Sequence, residues 1–272
     1  MGDPAALVRQ TMAGKYLIAI AADLHVGSYS GLCRPMVTLD QGGQYQASDF
    51  QKALYQAWAR FWQEAKEQRR GRKLIVLLLG DLMELPGRAG VWATSLDEAL
   101  RECQSLLEEV RSWVRWDELY VLRGTPFHVG EGGGPEETLA RALGAVPEGD
   151  LHARYRLQLE VEGYLIDAAH HAWGATRQWT ISAAPGRLAA EILASCAELG
   201  LPVPNLVLRA HNHRVADTGD TFANIRVIYC PAWQGVTAHA MKRGLVRPAD
   251  IGGVVIKLPE RHIEIKRMLT IR

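Results

Sequence analysis

The stretch that most constrains the fold is the apolar run at residues 73–79, which ends in Gly80-Asp81. A short apolar run that contains β-branched residues and stops at a glycine indicates a strand buried on both faces, as in the centre of an α/β sheet. Open α/β sheets place their chemistry at the carboxyl ends of such strands. A carboxylate there must be paired, hydrogen-bonded or bound to a metal. Asp81 is therefore either a turn or capping residue or a metal ligand.

Composition limits the class of protein. The 272 residues are 48% hydrophobic and 22% charged, which is ordinary for a soluble globular protein, and we interpret residues 1–272 as one domain. The net charge of +1 gives no overall basic field for nucleic acid. The four cysteines are far apart without a C-x-x-C pair and are interpreted as buried or inert thiols. No signal-peptide core or membrane-spanning run is found, so we predict a cytoplasmic protein with no membrane partner.

Periodicity predicts the remaining elements. Helical spacing of apolar residues predicts helices at 49–69, 95–116 and 136–143 and within 177–199, with Ser95 and Glu98 at capping-box spacing. Apolar runs predict strands at 16–22, 118–122, 155–161, 164–169, 206–210, 225–230, 253–258 and 262–268. Glu162-Gly163 is a hairpin signal. Residues 26–48 are rich in Gly, Ser and Gln and predict a long loop over the strand ends.

Polar residues with metal-ligand chemistry follow five of these strands. Residues i and i+2 of an extended chain point to the same face, so the pairs in Asp-x-His and His-x-His can hold one ion. The residues at the five strand ends are Asp23 and His25, Asp81, His128, His170 or His171, and His211 and His213. Carboxylates and imidazoles without thiolates suit Mn²⁺, Zn²⁺, Fe or Ni. There are too many ligands for one tetrahedral ion and about the right number for two.

This series resembles the calcineurin-like metallophosphoesterase superfamily, whose pattern is D-x-H, G-D, G-N-H-D/E, H and then G-H-x-H. The match extends from position 23 to position 213. The loop Gly124-Thr125-Pro126-Phe127-His128 and the later segment Cys230-Pro-Ala-Trp-Gln are most similar to a phage-associated branch. The resemblance implies an α/β fold, a four-layer α/β/β/α sandwich of two mixed sheets flanked by helices.

The resemblance also implies a ligand set for two divalent ions, with manganese expected first and zinc, iron or nickel as alternatives. Asp23, His25 and His213 would hold the first ion, and Asp81 would bridge both. His211 and one residue of the pair His170-His171 would hold the second ion, and we favour His170, which follows the strand directly. His171 would then lie behind the ligands.

The chain departs from the family pattern at Thr125, which occupies the position of the asparagine that ligates the second ion. Its hydroxyl could coordinate weakly, or a water could fill the position. The histidine also comes three residues after this position instead of one, and we predict that His128 is the catalytic histidine. The alternative is that His128 is a loop histidine that caps the helix that follows. Arg123 and Arg214 flank the motifs and are candidate substrate contacts, although solvated or salt-bridged arginines are commoner.

The function implied by the resemblance is hydrolysis of phosphate esters by a metal-bridging hydroxide, with phosphodiesters of nucleic acid or nucleotides favoured as substrates. A phosphomonoesterase or protein phosphatase of the same fold is one alternative. An inactive scaffold of the same fold is another, and Thr125 argues mildly for it. A single-metal hydrolase of the metallo-β-lactamase type ranks last, because its H-x-H-x-D-H run is absent.

Overall fold

The computed structural model describes residues 8–10, 14–87, 89–172, 180–237 and 248–269. Its strands are, in chain order, β1 (Val8–Gln10), β2 (Tyr16–Ala21), β3 (Met36–Thr38), β4 (Gln44–Gln46), β5 (Lys73–Leu78), β6 (Glu118–Leu122), β7 (Ala153–Arg154), β8 (Arg156–Val161), β9 (Tyr164–Ala169), β10 (Leu206–Arg209), β11 (Ala216–Asp217), β12 (Arg226–Tyr229), β13 (Ile251–Leu258) and β14 (His262–Leu269). Its helices are α1 (Asp49–Arg69), α2 (Leu96–Val114), α3 (Pro126–Val129), α4 (Gly134–Ala142) and α5 (Ala184–Leu199), with a 3₁₀ turn at Glu131–Gly133.

Two six-stranded sheets form the centre of the fold. The first has the order β14-β13-β2-β5-β6-β7, and the second has the order β1-β8-β9-β10-β12-β11. In the first sheet β2, β5, β6 and β7 run parallel, while β13 is antiparallel to β2. In the second, β9, β10 and β12 run parallel and β8 pairs antiparallel with β9. Both sheets are therefore mixed, as predicted.

Alternate residues of the buried strands face different layers, because side chains in a strand point to opposite faces in turn. Leu17 and Val76 belong to the hydrophobic core that contains α1, α2 and α4. Ile18 and Leu77, their neighbours in sequence, belong to the core shared with the second sheet. The other face of the second sheet, which carries Val207, packs against α5. The layers are α/β/β/α, which confirms the predicted four-layer sandwich.

The long helices follow the sequence signals closely. α1 spans the predicted 49–69 and begins with a complete capping box between Ser48 and Gln51. α2 begins after Ser95, whose hydroxyl accepts the N–H of Glu98. The Glu98 carboxylate does not complete a capping box there, because it accepts N–H bonds from Thr94 and Asp40. α5 covers the later part of the helix predicted within 177–199, of which 177–179 lie outside the described residues.

The segment predicted as a long loop contains a small hairpin, β3-β4, and is fastened to both covering helices. Gln51 of α1 donates to the carbonyls of Ser28 and Gly31. Glu102 of α2, whose side chain is fully buried, binds the guanidinium of Arg34. Buried polar side chains of the helices thus supply the backbone and charge partners that a segment without regular structure needs.

Other expectations are also settled by the structure. All four cysteines are free and buried, as predicted. Trp58, Phe61 and Trp62 of α1 are fully buried, so they belong to the core and not to a ligand surface. None of the described helices is long and apolar enough to cross a membrane.

Candidate metal centre

The loops that follow β2 and β5 lie side by side and carry the first predicted ligands. The N–H of Asp23 donates to the carbonyl of Gly80 at 3.0 Å, and the N–H of His25 donates to the carbonyl of Asp81 at 3.0 Å. The second sheet joins this edge through His211, whose N–H donates to Asp23 Oδ2 at 3.2 Å. The carboxyl ends of parallel strands from both sheets therefore meet at one place.

Several of the predicted ligands have a left-handed backbone, which is uncommon for residues other than glycine. These residues and their φ values are Asp23 (54°), His25 (46°), Asp81 (52°), His211 (70°) and His213 (53°). Such conformations cost free energy and concentrate at functional sites, where the surrounding structure enforces them. Here they turn the side chains out of the strand direction and towards one another.

The first cluster consists of Asp23, His25 and His213. His213 Nε2 lies 3.2 Å from His25 Nε2 and 3.3 Å from Asp23 Oδ1. His25 Nε2 lies 3.8 Å from the same carboxylate oxygen. Asp23 is fully buried, and its Oδ1 has no hydrogen-bond partner among the described residues. Three ligand atoms therefore converge on a space with no hydrogen-bond partner for the carboxylate oxygen.

Glu84 orients two histidines at once. His25 Nδ1 donates to Glu84 Oε1 at 2.8 Å, and His128 Nδ1 donates to Glu84 Oε2 at 2.9 Å. Because an ionised carboxylate only accepts, each histidine carries a proton on Nδ1. In the neutral ring His25 Nε2 is then left with a lone pair facing Asp23, which is how a metal-binding histidine is usually arranged. The three residues could in principle hold an ion themselves, but we interpret Glu84 as the hydrogen-bond acceptor behind the first cluster.

The second cluster consists of Asp81, His170 and His211. His170 Nε2 lies 3.0 Å from Asp81 Oδ2, and His211 Nδ1 lies 3.7 Å from the same oxygen. His170 Nδ1 donates to the carbonyl of Leu79 at 2.5 Å, so Nε2 is the nitrogen that faces Asp81. His171 is exposed and packs edge-on against the ring of His170. The geometry thus favours His170 over His171 as a ligand.

The two clusters are adjacent, and both favour positive charge. His170 Nε2 of the second lies 4.0 Å from Asp23 Oδ1 of the first. Burial alone would lower the pKa of His25, but the neighbouring carboxylates of Asp23 and Glu84 raise that pKa to about 10. Burial likewise opposes protonation of His170, yet Asp81 raises its pKa to about 9. Burial would raise the pKa of Asp23, while His213 and His25 hold it well below its usual value. Two buried carboxylates in so small a volume require cationic partners.

Thr125 lies against Asp81. Its backbone N–H donates to Asp81 Oδ1 at 2.6 Å, and its hydroxyl lies 3.1 Å from Oδ1 and 3.2 Å from Oδ2. The structure therefore brings Thr125 to the second cluster, in contact with the carboxylate that we expect to bridge the two ions.

His128 stands at the rim of the first cluster. Its ring meets the ring of His25 edge-on, with centroids 4.5 Å apart, and its side chain is 21% exposed. It belongs to the single turn α3, whose carbonyl at His128 accepts the N–H of Leu85. With Nδ1 on Glu84, its Nε2 is left for a ligand or substrate. The structure therefore places His128 beside the first cluster, and its catalytic role stays a prediction.

Arg123 and Arg214, the two predicted substrate contacts, have different surroundings. Arg123 donates through Nε to the carbonyl of Ala153 at 2.9 Å, donates to the carbonyl of Gly132, and lies over the ring of Tyr155. These contacts join the loop after β6 to nearby backbone of the same protein. Arg123 therefore has structural contacts of the kind that arginines commonly make. Arg214 is buried and lines a cavity of about 380 Å³ with Asp217 and Asp250. A substrate contact by either arginine stays a prediction.

Sequence reasoning missed two acidic residues of the site. Glu84 follows Asp81 by three residues at the same strand end, and that position was the available signal. Glu136 lies in the first turn of α4, where an acidic residue is expected for helix-dipole reasons alone. It is fully buried and accepts the N–H of Leu82 at 3.1 Å and that of Gly124 at 2.6 Å. Burial and the nearby Asp81 raise its pKa to about 7. Glu136 therefore links the loop after β5 to the loop after β6 from the buried side.

The residues present fit a bound divalent metal ion. Asp23 Oδ1 lacks a hydrogen-bond partner within the described chain, and the two Nε2 atoms beside it face each other at 3.2 Å. Two nitrogen lone pairs at that separation repel unless a proton or a cation lies between them. The donor set consists of imidazole and carboxylate groups, and none of the buried cysteines belongs to it. Such a set suits Mn²⁺, Zn²⁺ or iron.

Comparisons with known proteins add structural neighbours only. No protein-family model and no curated protein matches the sequence. Vps29 from Entamoeba histolytica, in a complex with Zn²⁺, is 10% identical over 91% of this chain and 88% of Vps29, with a TM-score of 0.41. A predicted phosphoesterase from Streptococcus pneumoniae is 10% identical over 91% of this chain and 85% of its own, with a TM-score of 0.36. The hypothetical protein PH1004 from Pyrococcus horikoshii is 11% identical over 92% and 86%, with a TM-score of 0.45. Similarities at this level transfer no activity or ligand to this chain.

Proposed function

We propose that the chain is a calcineurin-like metallophosphoesterase that hydrolyses phosphate esters with two divalent metal ions. The observation that supports this most directly is the convergence of Asp23 Oδ1, His25 Nε2 and His213 Nε2 within 3.8 Å of one another, with no hydrogen-bond partner for the carboxylate oxygen among the described residues. A second carboxylate and two histidines lie directly beside them.

In this proposal Asp23, His25 and His213 hold the first ion. His170 and His211 hold the second, and Asp81 serves both. When bound, the two divalent ions would supply Lewis acidity and a low-pKa water for hydrolysis at phosphorus. Manganese is our first choice, with zinc, iron and nickel as alternatives.

The positive charge of the metal-bound pocket would favour an anionic substrate. Asp23, Asp81 and Glu84 carry three negative charges between them, so the four positive charges of two divalent ions leave the pocket positive when the histidines are neutral. An anionic phosphate ester is attracted into such a pocket without a basic protein surface, which agrees with the net charge of +1.

His128 handles the leaving group in this proposal. Glu84 accepts the Nδ1 proton of His128, so the second proton of the doubly protonated ring would lie on Nε2, away from Glu84. An imidazolium there can donate that proton to the departing oxygen as the ester bond breaks. Without it the oxygen would have to leave as an alkoxide.

Among phosphate esters we propose phosphodiesters of nucleic acid or nucleotides, as the family resemblance of the sequence motifs implies. A phosphomonoesterase of the same fold is the alternative within the enzyme class. The scaffold alternative keeps the fold and the ions but not the chemistry, and the observation that favours it is Thr125 in place of a ligating asparagine.

The test measures metal content and turnover on the same preparations. Elemental analysis of protein purified without chelator is expected to give about two equivalents of metal, falling towards one in His211→Ala. Bis-p-nitrophenyl phosphate is expected to be hydrolysed faster than p-nitrophenyl phosphate with Mn²⁺, and Asp81→Asn is expected to abolish turnover. The matched control is Asp150→Asn, which changes an exposed aspartate.

The outcomes separate the candidates. Hydrolysis of only the monoester would support the phosphomonoesterase. Two bound ions without turnover of either ester, with each metal tried in turn, would support the scaffold. Protein that never binds metal would contradict the whole proposal.

A further inference from the structure

We propose that the Thr125 hydroxyl donates a hydrogen bond to Asp81 and is not a metal ligand. The ion held by Asp81, His170 and His211 then lacks a further protein ligand from this position. We infer that it binds more weakly and exchanges faster than the ion at Asp23, His25 and His213. This inference rests on the proposed function, because it concerns the same two ions.

The contacts of Thr125 show that its hydroxyl is a hydrogen-bond donor to Asp81. Its hydroxyl oxygen lies 3.1 Å and 3.2 Å from the two oxygens of Asp81. An ionised carboxylate has no proton to give, so the hydroxyl is the donor. The backbone N–H of Thr125 also donates to Asp81 Oδ1, at 2.6 Å. Asp81 thus accepts both donors of one residue, and both draw electron density away from the carboxylate that the ions would share.

The backbone at this position is held from two sides, which keeps Thr125 against Asp81. The N–H of Gly124 donates to Glu136 Oε2 at 2.6 Å, while the next N–H, that of Thr125, is used by Asp81. A Cβ atom on Gly124 would collide with the Asp81 side chain, so the two loops are already in closest contact. Thr125 is only 6% exposed, and its hydroxyl contacts both carboxylate oxygens of Asp81.

The two clusters differ in how firmly their histidines are enclosed. Each cluster has one enclosed histidine, because His25 and His170 are both 1% exposed and are bound through Nδ1 by Glu84 at 2.8 Å and by the carbonyl of Leu79 at 2.5 Å, respectively. The difference lies in the other histidine, since the His211 side chain is 39% exposed, against 20% for His213. His211 Nδ1 also lies farther from its carboxylate, at 3.7 Å, than His213 Nε2 does, at 3.3 Å. Water reaches His211 more easily than His213, which favours exchange of the second ion.

The experiment titrates the metal-free chain of 272 residues with Co²⁺, whose visible absorption depends on the number and type of its ligands. Bound equivalents are measured by equilibrium dialysis and elemental analysis, and spectra are recorded at each step. We expect two steps whose midpoints in free Co²⁺ differ by about 10-fold or more. His25→Ala should remove the tight step, and His211→Ala should remove the weak one.

Two substitutions of Thr125 separate a ligand from a hydrogen-bond donor. Thr125→Val keeps the shape but can neither donate nor coordinate, and the spectrum of its second equivalent should match the wild type. Thr125→Asn offers a carboxamide oxygen, which should change that spectrum and tighten the weak step by about 10-fold. Far-UV circular dichroism and melting curves check that each variant folds. The valine variant decides the question if the asparagine variant does not fold.

Some results would overturn the inference. One is a changed spectrum of the second equivalent in Thr125→Val, which would place the hydroxyl in the coordination sphere. Others are two equivalents bound with equal affinity by the wild-type chain, or a Thr125→Asn variant that folds and binds both ions like the wild type. These results leave the proposed function standing, whereas a chain that binds no Co²⁺ at all would remove the proposed function together with this inference.

Discussion

At the residue scale, Glu84 connects the candidate metal centre with the candidate proton donor. Its two carboxylate oxygens accept one hydrogen bond each, from His25 and from His128. Burial would raise the pKa of Glu84, but the hydrogen bonds from the two histidines lower it to about 2. The residue is therefore a fixed negative charge that sets the ring orientation of both histidines.

Replacing this carboxylate should impair catalysis. In Glu84→Gln the amide oxygen can accept from only one histidine, and the NH₂ group cannot accept from the other. We expect kcat for a phosphodiester to fall by about 10- to 100-fold, with weaker binding of the first ion. Steady-state kinetics and metal titration check this. Glu131→Gln, at an exposed position near the same loop, is the control. Unchanged kcat and unchanged metal affinity would exclude the role given to Glu84.

At the element scale, the site depends on how closely the loops after β5 and β6 approach. Gly80 has a positive φ of 85°, and a Cβ there would meet the backbone of Gly124 at 2.7 Å. Glu136 of α4 ties the two loops from the buried side by accepting an N–H from each. The close contact brings Asp81 and Thr125 together, so the second cluster depends on these glycines.

A single methyl group should therefore disturb the second cluster. In Gly124→Ala the new Cβ would overlap the side chain and backbone of Asp81, and Asp81 would have to move. We expect the second metal equivalent to be lost and the protein to be destabilised by roughly 1–3 kcal/mol. Elemental analysis and urea unfolding measure the two effects. In the control Gly134→Ala the added Cβ meets nothing within 4 Å, in a helical backbone, so it should be neutral or slightly stabilising.

The contact between α4 and β7 depends on another carboxylate of the same helix. Glu137 accepts N–H bonds from His152 and from Ala153, the latter at 2.8 Å. Burial would raise its pKa, but these backbone bonds and the guanidinium of Arg141 lower it to about 2. The folded value lies below the unfolded one, so this carboxylate stabilises the fold above about pH 4.3 and the effect is lost as the pH falls towards 2.

Urea unfolding at several pH values tests this pH dependence of the stabilisation by Glu137. At pH 7 we expect Glu137→Gln to be less stable than the wild type by about 1–3 kcal/mol, because charged hydrogen bonds are lost. The difference should shrink between pH 4.3 and pH 2, where the wild-type carboxylate becomes protonated. Glu198→Gln, at an exposed position in α5, should show no such dependence. A stability difference that stays constant with pH would contradict the assignment.

At the scale of the whole molecule, the four layers bring strand ends of both sheets to one place, and buried charge concentrates there. Asp23, Asp81 and Glu84 are all buried within this small region. Their partners are histidines, whose protonation partly offsets the charge. Divalent ions that bind only the folded chain would offset it further, so metal should stabilise the fold as a whole.

Thermal melting tests this. At a free metal concentration of about 100 times Kd, one ion adds about 2.7 kcal/mol to the free energy of unfolding. For a chain of this length we expect Tm to rise by roughly 5–10 °C with Mn²⁺ and to return to the metal-free value with chelator. The variant Asp23→Asn with Asp81→Asn should lose this shift. A Tm independent of metal in the wild-type chain would contradict the metal centre.

The sequence by itself determined most of the strands, the long helices and most of the candidate ligands, while the four layers were implied by the family resemblance. Apolar runs and helical spacing predicted the strands and α1, because they show which side chains are buried away from water, and the turn signal Glu162-Gly163 predicted the hairpin. Polar residues at the ends of apolar strands pointed to Asp23, Asp81 and the histidines, because such ends meet at one edge of a sheet.

Only the tertiary structure distinguished residues whose surroundings come from distant parts of the chain. It brought His170 rather than His171 to Asp81, and it set Thr125 against that carboxylate. It also revealed Glu136 beneath two loops and bound Arg123 to the neighbouring backbone. These outcomes depend on approaches of a few ångströms between loops far apart in sequence, and local periodicity carries no information about such distances.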